Sequence, residues 1–319
     1  MSLFALASPS APNKPPALHI PDGFLNLPIS LIFWAITIML VGVALRRSRN
    51  LNERQLPLMG VMAAFIFAAQ MINFPVVGGT SGHLLGGTLA AVTLGPWAGM
   101  LVMTCVIGVQ ALLFQDGGLV VMGANIFNMG LITALIGYGL YRSMANRAPG
   151  LRLVGVGIGA WLSVVAGALL TALQLWLSGT SPLQIVLPAM LGIHMLIGIG
   201  EALITVAALM FIQRTRPDLL NESANQGGRG WIIGGALASL AVVLLAPFAS
   251  ADPDGLERVA EDLGFLEQGQ DAPYQLIPDY TFPFLGETGF STIAAGVVGV
   301  VIVAALTIAA VRLIQQRTA

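Results

Sequence analysis

Charge is scarce in this sequence. Of its 319 residues 9% are charged, and it holds a single lysine (Lys14) and a single cysteine (Cys105). Each shortage removes a class of function. A phosphate-binding loop needs a lysine beside its glycines. Lys14 stands among prolines (Lys14-Pro15-Pro16), so the chain carries no such ATP site of its own. One cysteine permits neither an internal disulfide nor a cysteine-based metal site. A formal net charge of −1 provides no basic patch for nucleic acid. No nucleophile–base pair or complete metal-hydrolase motif is found, which makes a membrane enzyme the weakest class.

What the chain has in abundance is apolar length. Its hydrophobic residues make up 56% and its mean hydropathy is +0.84. The 38 glycines suit membrane helices that approach closely through small residues. Nine apolar runs are spaced along it: Leu27–Leu45, Leu56–Val77, Leu84–Leu94, Trp97–Phe114, Leu119–Tyr141, Leu151–Leu177, Leu183–Ile212, Trp231–Phe248 and Phe290–Val311. The third is too short to span a bilayer without tilt or thinning. Basic residues fall in alternate gaps: Arg46, Arg47, Arg49 and Arg54, then Arg142, Arg147 and Arg152, then Arg214, Arg216 and Arg229, then Arg312 and Arg317. If these gaps are cytoplasmic, each run crosses once, the amino terminus is outside, and only Lys14 and Arg258 of the basic residues remain outside. The Gly95-Pro96 turn then becomes an inner connection.

The reading is an all-α integral membrane protein: a seven-helix bundle, then a two-helix membrane module with an extracytoplasmic loop. Residues 1–17 are a proline- and alanine-rich extension, disordered or absent from the mature protein. Residues 18–220 form the bundle, and 221–230 a polar, glycine-tipped cytoplasmic linker. Residues 231–319 form the second module, with its outer loop over 249–288. That loop carries nine acidic residues against one basic residue, Arg258, about −8 at ordinary carboxylate pKa values. Within it, Val259–Leu266 has the pattern of a short amphipathic helix.

Few residues could carry chemistry. His19, in Leu18-His19-Ile20-Pro21-Asp22, is either a ligand for a borderline metal or an ordinary loop histidine. His83 lies in the glycine-rich stretch Gly78–Gly87, at the outer start of the third run. It is either a neutral ligand or part of a close helix contact. His194 and Glu201 lie about 10 Å apart along one helix face, too far to chelate one ion. They form either a structural network or the proton path of a self-sufficient carrier. Asn125 and Asn128, spaced to face one way, form a polar cluster with Gln110, Gln115 and Asp116, of a kind that usually holds a bundle together.

Several ordered stretches carry a resemblance. They are His19-Ile20-Pro21-Asp22-Gly23-Phe24, Gly79–Gly87, Leu94–Gly99, Gln110–Gly118, Gly123–Met129 and His194–Glu201. From Leu18 to about Arg216 the chain resembles the CbiM/NikM family, the substrate-binding S components of energy-coupling factor transporters for cobalt or nickel. Pro253-Asp254-Gly255-Leu256-Glu257 and Ile277-Pro278-Asp279-Tyr280 resemble the CbiN/NikN partner subunit in its PDGLE form, so the chain looks like a fusion of the two. The resemblance implies uptake of Co2+ or Ni2+ with no resident cofactor. It also implies a separate membrane coupling (T) subunit and cytoplasmic ATPase subunits as partners, and a home in the lipid of a prokaryotic plasma membrane. In that family the chain begins Met-His, and the terminal amine, the histidine main-chain nitrogen and its imidazole chelate the ion, with a fourth nitrogen from the histidine matching His83. Here eighteen residues precede His19. Leu18 can supply the amine only if the mature chain begins there, by cleavage after Ala17 or by translation from the Leu18 codon. The rival readings are an S component for an organic vitamin, with Phe24 and Phe74 as its few outward aromatics, and a proton-coupled secondary transporter.

Overall fold

The structure is a computed structural model, and it describes residues 19–49, 51, 55–215 and 229–316. The extension 1–17, Leu18 and most of the linker lie outside the described residues. Each of the nine apolar runs contains a helix. We number the helices α1 (Leu27–Arg47), α2 (Gln55–Gln70), α3 (Gly87–Leu94), α4 (Pro96–Phe114), α5 (Met122–Ser143), α6 (Pro149–Leu177), α7 (Leu183–Thr215), α8 (Arg229–Leu245), α9 (Gly255–Leu263) and α10 (Gly289–Gln316). The last turns of α4 (Gln110–Phe114) and an early stretch of α5 (Ile126–Leu131) are π-helical. A small antiparallel hairpin, β1 (Phe74–Val76) and β2 (Thr80–Gly82), links α2 to α3.

Among the described residues α1, α4, α5, α6, α7 and α10 are long and apolar enough to cross a membrane, and α2 and α8 are shorter apolar helices. The chain is a multi-pass membrane protein. Local signals set the helix ends. The Asn26 side chain caps α1 by accepting from the Ile29 N–H at 3.0 Å, and Arg46 and Arg47 sit in its last turn, where cations oppose the helix dipole favourably. In the packed interior α6 lies along α7, α10 along α2, and α3 between α4 and α5. Phe67, Met59, Met100, Met103 and Ile107 are fully buried where these helices meet.

The third apolar run differs from expectation. Only eight of its residues are helical, and a helix that short rises about 12 Å. That is far below the roughly 30 Å of hydrocarbon that a lone span must cover. Its length is set by glycines in the left-handed region at both flanks, Gly86 (φ 82°) and Gly95 (φ 87°). Pro96 then opens α4 at once. His83 therefore precedes the helix, in a segment that is neither helix nor strand, and does not stand at its first turn. All eight residues of α3 are buried. Such backbone needs internal partners. Glu201, fully buried on α7, accepts from the Leu85 N–H at 2.6 Å and the Gly86 N–H at 3.1 Å. The Gln70 amide donates to the Leu85 carbonyl at 2.8 Å.

Replacing Glu201 with alanine strips two buried N–H groups of their acceptor, at a cost of about 2 kcal/mol. A lowered thermal unfolding midpoint in detergent is the expected result for Glu201→Ala, and an unchanged midpoint contradicts this role.

Candidate functional site

The leading segment is fastened to the first turn of α5 and to the stretch between α4 and α5. Ile20 and Asn125 exchange two hydrogen bonds: the Ile20 N–H donates to Asn125 Oδ1 at 3.1 Å, and Asn125 Nδ2 donates to the Ile20 carbonyl at 3.0 Å. The Asp22 carboxylate accepts from the N–H groups of Leu119, Val120 and Val121 at 2.9, 2.9 and 3.1 Å. Gly118 passes so close that a Cβ there would lie 2.2 Å from Asp22 Oδ1. These contacts fix His19, which is 2% exposed.

His19 Nδ1 lies 3.0 Å from the Asp116 carbonyl and 3.4 Å from Asp116 Oδ1. His83 Nδ1 lies 3.0 Å from the Leu84 carbonyl, and His194 Nδ1 lies 2.8 Å from the Met190 carbonyl. A carbonyl oxygen can only accept, so in the neutral form each Nδ1 carries the hydrogen and each Nε2 carries a lone pair. Fixing one ring nitrogen in this way sets the tautomer and aim of a histidine that ligates through the other. His19 Nε2 is buried and, among the described residues, has no hydrogen-bond partner, a costly state unless something else fills its lone pair.

The His19 and His83 rings meet edge to face, with centroids 5.9 Å apart and planes at 73°. An ion about 2 Å from a ring nitrogen stands about 3 Å from the ring centre, so two rings can share one ion only where their centroids lie within roughly 6 Å of each other. The rings border a cavity of about 80 Å³, also lined by Asn125, Asn128, His194 and Asp254. Among the described residues no three His, Cys, Asp or Glu side chains are grouped so as to hold an ion by themselves.

The other sequence candidates separate. His194 borders the cavity while Glu201 caps the approach to α3, so these two do not form one network. Asn125 holds the leading segment. Asn128 instead reaches α6, donating to Thr171 Oγ1 at 3.1 Å and Gln174 Oε1 at 2.8 Å, while Gln174 Nε2 donates back to Asn128 Oδ1 at 2.8 Å. The π-helical stretch begins between the two asparagines, and they serve different neighbours. Gln115 accepts from the Leu276 N–H at 3.3 Å, outside the cavity. Of the two aromatics considered for a larger ligand, Phe24 is buried against Phe265 with centroids 5.1 Å apart, and Phe74 packs on Gly200.

The long loop between α8 and α10 supplies a residue that sequence reasoning missed. The Pro253 carbonyl accepts from the Ser81 N–H at 2.8 Å and from Thr80 Oγ1 at 3.0 Å, and the Asp252 carbonyl accepts from Ser81 Oγ at 2.8 Å. This edge pairing delivers Asp254 to the cavity, where it caps α9 by accepting from the Glu257 N–H at 2.7 Å. Burial pushes its carboxyl up to about 6, the Glu257 N–H opposes that rise, and nearby Asp116 adds to it. Asp254 followed by Glu257 three residues on is a helix-start signal, so α9 runs Gly255–Leu263 and begins earlier than the expected Val259. Gly264, at φ 74°, ends it. Gly255 lies against α7: a Cβ there would be 2.7 Å from Ile197 Cδ1 and 2.9 Å from His194 Cε1.

Residues 19–219 match the family described as the cobalt uptake substrate-specific transmembrane region, CbiM, and residues 228–316 match the PDGLE domain. The chain belongs to the CbiM family. A protein of Archaeoglobus fulgidus, provisionally named a fused nickel transport protein, NikMN, is 36% identical over 303 residues, covering 92% of this chain and 98% of its own length. The CbiM cobalt transport protein of Geobacter sulfurreducens is 31% identical over 67% of this chain and 65% of its own. A crystal structure described as a truncated transition metal transporter superposes with a TM-score of 0.56 at 34% identity, covering 61% of this chain and 98% of its own.

The fit of Gly255 gives a direct test of docking by the PDGLE segment. Gly255→Val must push the loop off α7. Limited proteolysis is expected to cut residues 249–288 several-fold faster in the variant, and equal rates contradict the docked arrangement.

Proposed function

We propose that this chain is the substrate-specific component of an energy-coupling factor transporter for divalent cobalt or nickel, with His19 and His83 as ligands of the transported ion. The observation that carries the proposal is the meeting of two buried imidazoles from distant segments, 5.9 Å apart at a small cavity, each with its Nδ1 on a main-chain carbonyl. Imidazole nitrogen suits both ions, and the site offers no thiolate to favour softer metals. Leu18 contributes an amine in a form of the protein that begins there. His194, Asn125 and Asn128 line the cavity as a supporting shell, and Glu201 supports His83 through the backbone of Leu85 and Gly86.

In this reading residues 18–220 capture the ion on the outer side of a prokaryotic plasma membrane. Residues 221–230 are a cytoplasmic linker, and residues 231–319 carry the loop that docks beside the site. The amino terminus is outside and the carboxyl terminus is cytoplasmic, as the arginines require. With no phosphate-binding loop of its own, the chain takes its energy from a membrane coupling subunit and cytoplasmic ATPases. The relatives' names, cobalt and nickel transport proteins, support the substrate class. A cavity of about 80 Å³ suits an ion and its few waters and is too small for a vitamin, for which pockets of several hundred Å³ are usual. A proton path through His194 and Glu201 loses its support from their separation.

Measured on the purified chain in detergent, His83→Ala is expected to abolish high-affinity binding of Co2+ and Ni2+ while the protein stays folded. Binding equal to wild type refutes the ligand assignment.

A further inference from the structure

The acidic residues of the long loop do not all lie alike. Glu261, Asp262 and Glu267 are exposed, while Asp254 is 4% exposed. Among the described residues Asp254 is the one acid that lines the cavity beside His19 and His83, and no lysine or arginine lines it. The other polar side chains of the lining are imidazoles, amides and a hydroxyl. Asp254 therefore brings the one carboxylate to a wall that is otherwise without fixed charge.

Helix capping does not account for that charge. Asp254 caps α9 through the Glu257 N–H, and asparagine or serine caps a helix as well as aspartate does. A carboxylate taken out of water is costly unless a cation or strong donors meet it. Arg258, the one base of the loop, is turned to Asp262 instead, at 3.2 Å. A second buried acid, Asp116, stands on the far side of the His19 ring and repels Asp254. Tyr280, also from the PDGLE region, donates to Asp116 Oδ2 at 2.5 Å. Two carboxylates, one from each family region, thus stand near the histidines, and a divalent cation there answers both.

We propose that Asp254 is a counter-charge for the transported ion: a carboxylate that the PDGLE region sets at the cavity, acting on the ion across it without bonding to it. This rests on the reading of His19 and His83 as ligands. The main chain on both sides of Asp254 is fixed to the capture region. The Pro253 carbonyl bonds to Thr80 and Ser81, and Gly255 lies against Ile197 and His194. Asp254 is not grouped with two other His, Cys, Asp or Glu side chains as a ligand set would be, and a cavity of about 80 Å³ leaves room for water between it and the ion. Attraction between charges is several-fold stronger in such a place than at the surface. The exposed acids of the loop act through salt-screened solvent.

The test is titration of the purified full chain in detergent with Co2+ and with Ni2+, reading affinity and the visible spectrum of bound Co2+. Asp254→Asn removes the charge and keeps the cap, so the loop is expected to be cut by protease at the wild-type rate. We expect about tenfold weaker binding of both ions, the lower end of what losing an outer partner costs a metal site, with the Co2+ bands in place. Affinity equal to wild type overturns the proposal. Bands that move make Asp254 a direct ligand and overturn it too, and faster cutting of the loop reduces the effect to lost docking. Glu261→Gln removes the same unit of charge from an exposed position on α9 and is expected to bind as wild type does. Equal weakening in the two variants assigns the effect to general acidity and contradicts the proposal. If His83→Ala loses the ions while Asp254→Asn keeps them, the counter-charge alone fails. If the wild type binds neither ion, or His83→Ala binds as wild type does, the ligand reading fails and the counter-charge with it.

Discussion

Irregular backbone can be buried inside a membrane protein only if its own N–H and C=O groups find partners there, and the short stretch from Thr80 to Gly86 is the place where this protein meets that demand. Its N–H and C=O groups are met from three directions: Glu201 on α7, Gln70 on α2, and the carbonyl of Pro253 in the long loop. His83 sits within this stretch. An unbroken helix would offer no such freedom to place an imidazole beside His19, since its side chains are confined to the helical period. The buried carboxylate of Glu201, which the sequence leaves open between a structural group and a proton site, serves this backbone.

The same stretch joins the two family regions. Ser81 pairs with Pro253, and Asp22, in the leading segment, accepts from the Gln270 N–H at 2.7 Å. Each half therefore supplies walls of one cavity: His19, His83 and His194 from the CbiM region, Asp254 and Gly255 from the PDGLE region. The acidity of the loop then has a second aspect. Most of its carboxylates are general attraction for cations, screened beyond about 8 Å at physiological salt. Asp254 is buried at the cavity, where screening is weak and a single charge matters more.

Helix positions were legible because apolar runs report membrane burial directly, and every run contains a helix. The break in the third run was less legible. Its composition is apolar throughout, and only the φ values of Gly86 and Gly95 show where the helix starts and stops. His19 and His83 were singled out from residue type and motif, but nothing in their spacing put the rings side by side. That follows from Asn125 and Asp22, which seat the leading segment 100 residues along the chain by hydrogen bonds no periodicity encodes. The pairing of His194 with Glu201 looked natural on one helix face, yet each answers to a different neighbour. Asp254 and Tyr280 belonged to recognised motifs, while their arrival at the site depends on contacts across more than 150 residues.

The central claim is that His19 and His83 hold the same ion. X-ray absorption at the metal edge of the full chain, loaded with one equivalent of Co2+, reads this directly. The account predicts one bound ion per chain whose scattering requires two imidazoles, falling to one in His83→Ala. Scattering that fits oxygen ligands alone, or a two-imidazole signal that survives His83→Ala, contradicts it.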